Sequence, residues 1–183
     1  KTVVPEEKKV YLAFNKPRGI VCTAEKREKN NVIDYLSYPV RIYPVGRLDK
    51  DSEGLLLMTN DGAIVNGIMR ARNRHEKEYQ VEVNKEITPE FLKKMASGVP
   101  ILDTVTRPCR IRKTGERSFT IILTQGLNRQ IRRMCEALGY RVTKLKRVRI
   151  MNIHLKDLKT GEYRPLTEKE LAELKKQIGE EKR

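Results

Sequence analysis

The sequence is poor in the residues that hold metals and disulfides. It has three cysteines, which lie far apart and form no Cys-x-x-Cys pair, and two histidines, His75 and His154. An odd number of isolated cysteines indicates free thiols in a reducing compartment, and so few ligands exclude the usual kinds of zinc site. We therefore expect a cytoplasmic protein that binds no metal.

Long hydrophobic runs are also missing. No apolar stretch approaches 18 residues, which excludes a transmembrane helix of ordinary length, and no signal peptide is visible. The first residue is Lys1 rather than Met, so we expect a processed product or a piece of a longer protein. The 183 residues fit one domain, or two small subdomains that share a core.

Acidic residues are outnumbered. The chain has 39 Lys and Arg against 24 Asp and Glu, a formal charge of +15, which favours nucleic acid or an anionic membrane as partner. Residues 127–149 alone hold eight cations and a single acid, Glu136. No large apolar face accompanies this charge, so a membrane is the weaker interpretation. The alternatives are a cationic surface for phosphates and a merely solvated charged face.

Short apolar segments between turn residues predict a strand-rich fold. Strands are predicted at 10–14, 20–23, 42–45, 55–58, 78–83, 108–113, 118–124 and 140–153, and helices at 32–36, 61–69, 91–97, 128–138 and after the capping box at 167–170. Strands outnumber helices and many are joined by short turns. The predicted class is α+β, with a mostly antiparallel mixed sheet flanked by helices. We expect a flexible lead-in at 1–9, one domain of two subdomains sharing a central sheet at 10–178, and a frayed tail at 179–183.

The turn around Asp49 is the most informative segment. It lies between two apolar runs, and strand–turn–strand geometry would hold its carboxylate at the rim of a sheet. A plainer alternative is a turn residue that caps its own backbone. Residues 49–54 are similar to the start of a calcium loop, but its twelfth position is Asn60 where a bidentate Glu is needed, which excludes calcium. A magnesium site at Asp49 and Asp51 remains open.

Four segments, in order along the chain, resemble the motifs of RNA pseudouridine synthases. They are Asn-Lys-Pro-Arg-Gly at 15–19, Gly-Arg-Leu-Asp at 46–49 with the segment 54–62, Lys-Glu-Tyr at 77–79, and Gly-Leu-Asn-Arg-Gln-Ile-Arg-Arg-Met at 126–134. The last resembles the arginine motif of the RsuA branch. Within that branch, stretches 75–79, 98–102 and 147–152 most resemble the RluF-type enzymes, which modify 23S ribosomal RNA. We expect the chain to be the catalytic domain of such an enzyme without the S4-type RNA-binding domain that usually precedes it.

The resemblance implies an isomerase that detaches uracil from its ribose, turns it and rejoins it through carbon, without a metal or external cofactor. It makes Asp49 the essential carboxylate, either as nucleophile at C1′ or as base at C2′. It makes Arg129 the partner of that carboxylate, which a nearby guanidinium would keep charged. Tyr79 is expected to pack on the uracil and to remove the C5 proton. Leu127 and Ile131 are candidate walls for the base.

Other residues are expected to contact RNA. Because the target base cannot react while stacked, the nucleotide should flip into the pocket, with Arg47 filling the vacated place. Lys77 would pair with Asp49 or tune Tyr79. The remaining predicted RNA-binding residues are Lys16, Asn128, Gln130, Arg132, Arg133, Lys144 and Arg147.

Three classes of function remain open at this point. The first is a monomeric pseudouridine synthase acting on 23S ribosomal RNA, or on another site such as 16S. The second is a non-catalytic RNA-binding module with the same fold. The third is a metal-dependent nuclease that uses Asp49 and Asp51 and that EDTA would inhibit.

Overall fold

The computed structural model describes residues 8–180. Most of the predicted lead-in at 1–9 therefore lies outside the described residues. Lys8 and Lys9 precede the first strand without regular structure. The last helix includes residues 179 and 180, two positions beyond the predicted end of the domain at 178. The rest of the predicted tail, 181–183, also lies outside the described residues.

Eleven strands and five helices lie within the described part of the chain. The strands are β1 (Tyr11–Lys16), β2 (Tyr43–Val45), β3 (Glu53–Thr59), β4 (Lys77–Val83), β5 (Pro100–Ile101), β6 (Thr104–Val105), β7 (Arg110–Gly115), β8 (Ser118–Leu123), β9 (Val142–Ile150), β10 (Ile153–His154) and β11 (Tyr163–Pro165). The helices are α1 (Val32–Leu36), α2 (Gly62–Arg70), α3 (Pro89–Ser97), α4 (Gln130–Ala137) and α5 (Glu168–Glu180).

One mixed sheet organises the molecule. Its strand order is β11-β1-β3-β9-β4-β8-β7, with β2 paired to β3 and β10 paired to β9, while β5 and β6 form a separate two-stranded sheet. Among the described strand pairs, only β3 and β9 run parallel. The predicted α+β class with a mostly antiparallel mixed sheet is confirmed.

Three clusters of buried side chains hold helices against this sheet. One cluster joins β4, β8 and β9 to α3 and α4, with Phe119 and Met134 fully buried. A second lies under α2 and α5, and a third lies under α1 around Phe14. Strand β9 contributes Leu145 to the first cluster and Ile150 to the second, so it links the two parts of the sheet.

Local capping signals place most helix starts. Thr88 Oγ1 accepts a hydrogen bond from the Phe91 amide at the start of α3, and the Asp61 carboxylate accepts one from the Ala63 amide at the start of α2. In α5, Thr167 and Glu170 exchange reciprocal bonds of 2.9 and 3.1 Å, which confirms the predicted capping box.

Two predicted strands differ in the structure. The strand predicted at 140–153 is divided into β9 and β10, because Met151 adopts a left-handed φ of 53° and turns the chain back on itself. Residues 20–23 form no regular strand, and Val21 makes an isolated bridge to Asn31. Helix α4 begins at Gln130, two residues later than predicted.

Candidate active site

Asp49 lies in the loop that joins β2 to β3. The Asp49 carbonyl accepts the Ser52 amide at 3.0 Å, and the Lys50 carbonyl accepts the Gly19 amide at 2.8 Å. Leu48 is buried in the cluster beneath the loop, so the neighbouring Asp49 side chain points away from the core. The loop is therefore fixed on both sides, and the carboxylate is presented at the edge of the sheet with 39 % of its side chain exposed.

Arg129 is held by two carboxylates. Its guanidinium binds Asp51 through Nη1 at 3.0 Å and Nη2 at 2.8 Å, while Nη1 lies 3.4 Å from Oδ2 of Asp49. The hydrogen bonds from Arg129 are the main cause that lowers the pKa of Asp51, and the same contact raises the pKa of Arg129. The predicted pairing of Arg129 with Asp49 is thus present, but it is the weaker contact of the two.

A network at the start of α4 sets the position of Arg129. Arg129 is the N-cap residue and has a left-handed φ of 49°. Gln130 holds the preceding loop, since its Oε1 accepts the Leu127 amide at 3.1 Å and its Nε2 donates to Oε1 of Gln125 at 3.2 Å. Arg132 Nη2 donates to the Asp51 carbonyl at 2.9 Å, which ties α4 directly to the Asp49 loop.

A cleft of about 520 Å³ opens beside Asp49. Tyr79, Leu127 and Ile131 contribute its apolar wall, and Tyr79 packs against the cluster beneath α4. The cations that line the cleft are Arg47, Arg72, Lys77, Arg129 and Arg147. The three predicted catalytic residues, Asp49, Tyr79 and Arg129, therefore line one cleft.

Of the two roles expected of Lys77, pairing with Asp49 is not seen among the described contacts, and tuning of Tyr79 stays a prediction. Its ammonium donates to the carbonyls of Arg72 and Thr124. Burial, and then the positive charges of Arg147, Arg107 and Arg72, lower the pKa of Lys77 to about 8. The end of the cleft around Lys77 is accordingly a region of strong positive potential.

Four predicted RNA-binding residues are buried. Lys16 has no exposed surface and donates to the carbonyls of Pro17 and Ile20, so it stabilises the turn after β1. Gln130 and Arg132 make their hydrogen bonds within the protein, to Leu127 and to Asp51 respectively. Arg147 is 6 % exposed and lines the cleft rather than the outer surface. Lys16, Gln130 and Arg132 therefore offer little exposed surface, whereas contact of Arg147 with a substrate in the cleft stays a prediction.

The remaining predicted RNA-binding residues divide between two faces. Arg47 and Asn128 are exposed at the cleft, and Arg133 binds Asn128 through two hydrogen bonds of 2.9 and 2.8 Å. Lys144 is exposed beside Glu82 at 4.0 Å. Because side chains alternate along β9, Lys144 lies on the sheet face opposite Leu145 and Arg147. The cations of 127–149 therefore do not form one continuous surface.

Asp51 is the functional candidate that sequence reasoning missed, since its carboxylate had been considered only for a metal. Its position two residues after Asp49 in the same turn was the available signal.

Within residues 8–180, no group of three or more His, Cys, Asp or Glu side chains could hold a metal ion. In the same part of the chain, no helix has the length and apolar character needed to cross a bilayer. Cys22, Cys109 and Cys135 are free thiols, as predicted.

We expect Asp51→Asn to lower turnover about 10- to 100-fold, because a small misplacement of a group that aligns the reacting carboxylate is costly. The neutral amide cannot hold both nitrogens of Arg129, so the guanidinium loses its fixed place beside Asp49. Single-turnover rates of the variant, the parent chain and the Lys50→Gln control would measure the loss. A rate equal to that of the control would contradict this role.

The same ion pair predicts a pH dependence of stability. Because Arg129 lowers the pKa of Asp51, the pair stabilises the fold above the ordinary pKa of an aspartate, and this contribution is lost as the pH falls and the carboxylate is protonated. The melting temperatures of the parent chain and Asp51→Asn should therefore differ near neutral pH and converge in acid. A constant difference across that range would exclude the ion pair as its source.

The sequence of the chain is similar to those of known proteins. A sequence model of the family described as RNA pseudouridylate synthase matches residues 10–137. The chain is 56 % identical over 169 residues to the dual-specificity RNA pseudouridine synthase RluF of Salmonella typhi, covering 92 % of this chain and 58 % of that protein. The chain thus spans rather more than half the length of this relative.

Two further comparisons agree with the first. The ribosomal large subunit pseudouridine synthase B of Bacillus subtilis is 36 % identical over 180 residues, with 94 % of this chain and 74 % of that protein covered. A crystal structure of a pseudouridylate synthase superposes with a TM-score of 0.84 at 30 % identity, covering 92 % of this chain and 75 % of that one. The sheet and helices described above are therefore arranged as in that enzyme.

Proposed function

Because the chain belongs to the RNA pseudouridylate synthase family, we propose that it isomerises a uridine of ribosomal RNA to pseudouridine in the cleft beside Asp49. The single observation that supports this site most strongly is the meeting of Asp49, Tyr79 and Arg129 in one cleft. These three side chains come from separate parts of the chain, and a fold kept only for binding RNA has no need of that arrangement.

The geometry around Asp49 suits an ionised carboxylate that acts on the sugar. Oδ2 faces Arg129 at 3.4 Å, while Oδ1 makes no hydrogen bond within the described residues. One oxygen is thus oriented by the guanidinium and the other is left for chemistry. Asp49 would either attack C1′ and form an ester or remove the proton from C2′, and in both routes the bond between C1′ and N1 breaks.

The walls of the cleft suit a flipped nucleotide. Tyr79, Leu127 and Ile131 offer an apolar surface on which a uracil ring can pack, and Tyr79 also carries a hydroxyl that could take the C5 proton. Arg47 is exposed two residues before the acid, where it could fill the gap that the nucleotide leaves in the RNA stack.

The exposed cations at the cleft suit the RNA backbone. Arg47 and Arg72 lie at the opening and would bind phosphates of the segment that carries the flipped nucleotide. Large-subunit ribosomal RNA is the first substrate to test, since the relative from Bacillus subtilis is named for it. The dual specificity in the name of the Salmonella typhi relative makes a second class of RNA worth testing too.

Pseudouridine mapping tests the proposal. Unmodified transcripts of 23S and 16S ribosomal RNA and of transfer RNA would be incubated with the chain, with and without EDTA, and mapped at single-nucleotide resolution. We expect a new pseudouridine at one or a few positions, unaffected by EDTA. Binding without product would support a non-catalytic module, and cleavage that EDTA prevents would support a nuclease. Repeating the assay with the relative from Salmonella typhi, of which this chain covers 58 %, would show whether segments outside the matched region select the site.

A further inference from the structure

Arg147 is a buried cation for which the protein supplies no counter-ion. The residue is 6 % exposed, and its only side-chain hydrogen bond within the described residues joins Nε to the Leu55 carbonyl at 2.9 Å. No carboxylate of residues 8–180 lies within 4.0 Å of its guanidinium. A buried charge without a partner destabilises a fold, so such a group is typically kept for a ligand.

The position of Arg147 shows where that ligand would lie. Arg147 pairs with Tyr79 in the register of β9 and β4, and with Gly54 in the parallel register of β9 and β3. Arg147, Tyr79 and Lys77 line the same cleft. After burial, the positive charge of Arg147 contributes most to lowering the pKa of Lys77, which places uncompensated positive potential at the floor of the cleft.

A phosphate is a poor candidate for this floor. A flipped nucleotide enters base first, and its phosphates stay with the RNA strand outside. The exposed cations Arg47 and Arg72 stand where that strand would pass. Arg147 lies deeper, beside the aromatic ring on which we place the base. The group that can reach it is therefore the carbonyl edge of the uracil.

We propose that Arg147 is a catalytic residue which binds a uracil carbonyl oxygen and stabilises the detached ring as an anion. This role rests on the proposed function. When the bond between C1′ and N1 breaks, its electron pair stays on N1 and is delocalised onto O2 and O4. Asp49 satisfies C1′ by forming an ester or removes the C2′ proton. The ring then turns and C5 bonds to C1′. In the first route the ester bond between C1′ and Asp49 breaks and releases the carboxylate, and in the second C2′ regains its proton from Asp49. The proton lost from C5 is balanced by one gained at N1.

The physical reason is that the charge on the carbonyl oxygens is small before bond cleavage and large after it. A donor that is already in place strengthens as this charge grows and lowers the barrier to cleavage. Burial increases the effect, because little water screens the guanidinium. Burying Arg147 destabilises the fold, but the same unpaired guanidinium binds the anionic state of the substrate more tightly than the neutral state.

The test combines a substitution with a change of leaving group. We expect Arg147→Met to slow single-turnover isomerisation of the cognate uridine about 100- to 1000-fold, with little change in the dissociation constant of the RNA. The same RNA with 5-fluorouridine at the target position provides a ring that stabilises its own negative charge. The slowing that Arg147→Met causes with this substrate should therefore be at least about tenfold smaller than the slowing it causes with uridine. A purely structural role would slow both substrates equally.

Two further variants complete the design. Arg112→Met removes a guanidinium from exposed strand β7 and should leave both rates unchanged. Arg147→Lys keeps the charge and should restore part of the uridine rate. If circular dichroism shows that Arg147→Met is unfolded, the two substrates are compared with Arg147→Lys instead. Equal slowing of both substrates, or a uridine rate within about threefold of the parent chain, would overturn the role. If the parent chain itself forms no pseudouridine, the proposed function fails, and this role fails with it.

Discussion

Asp49→Asn should abolish pseudouridine formation while the protein stays folded and still binds RNA. The amide has the shape of the carboxylate but neither its charge nor its basicity, so it can neither attack C1′ nor remove a C2′ proton. Loss of a residue in this position typically costs about 10⁴-fold or more in turnover. Because the side chain is 39 % exposed and accepts no hydrogen bond from a backbone amide of residues 8–180, we expect stability to change by only about 0.5 kcal/mol.

The measurement is the single-turnover rate together with the RNA dissociation constant and the melting temperature. Asp103→Asn is the matched control, since Asp103 is exposed in the turn between β5 and β6, and asparagine tolerates its left-handed φ of 59°. The control should behave as the parent chain does. Turnover by Asp49→Asn within about tenfold of the control would remove Asp49 from the chemistry.

Gly54→Ala should be the most destabilising single methyl addition in the sheet. A Cβ at Gly54 would lie 2.2 Å from the Arg147 carbonyl oxygen and 2.7 Å from its amide nitrogen, and the backbone there has a φ of 108°. The neighbour is backbone of β9, which cannot move aside as a flexible side chain can. We expect a loss of about 3 kcal/mol or more in the free energy of unfolding, with loss of turnover.

Urea unfolding of Gly54→Ala against Gly62→Ala measures this effect. Gly62 opens α2, its Cβ would meet nothing within 4 Å, and its replacement should be neutral or slightly stabilising. The same methyl group is thus added in open space and against backbone. Similar unfolding midpoints for the two variants would show that β3 and β9 are less closely held than the structure indicates.

Features set by local sequence were predictable. Helix α1 has the predicted bounds, and α3 extends the helix predicted at 91–97 back to Pro89, with Thr88 as its cap. Capping residues and N1 prolines act within one turn of helix, so a short segment contains the whole signal. The family motifs also led to Asp49, Tyr79 and Arg129, which the structure brings to one cleft.

Features set by contacts distant in sequence were not predictable. The expected RNA contacts of Lys16, Arg132 and Arg147 took no account of burial, yet each side chain is buried and donates to a backbone carbonyl. The guanidinium of Arg129 has two candidate partners two residues apart, the carboxylates of Asp49 and Asp51. Only the packing of α4 against the loop selects Asp51 as the main partner. Where positive charge is buried, the sequence composition gives no indication of the partner.

The parallel pairing of β3 with β9 has a consequence for the timing of synthesis. The ribosome makes Asp49 and β3 early, whereas β9 and its Arg147 follow only after α4. Until β9 emerges and inserts between β3 and β4, the two halves of the sheet are not joined and the cleft has no floor. A nascent or prematurely terminated chain would therefore display Asp49 at an unpaired sheet edge without a binding cavity. The cleft beside Asp49 is therefore completed only after β9 has been made and has paired with both neighbouring strands.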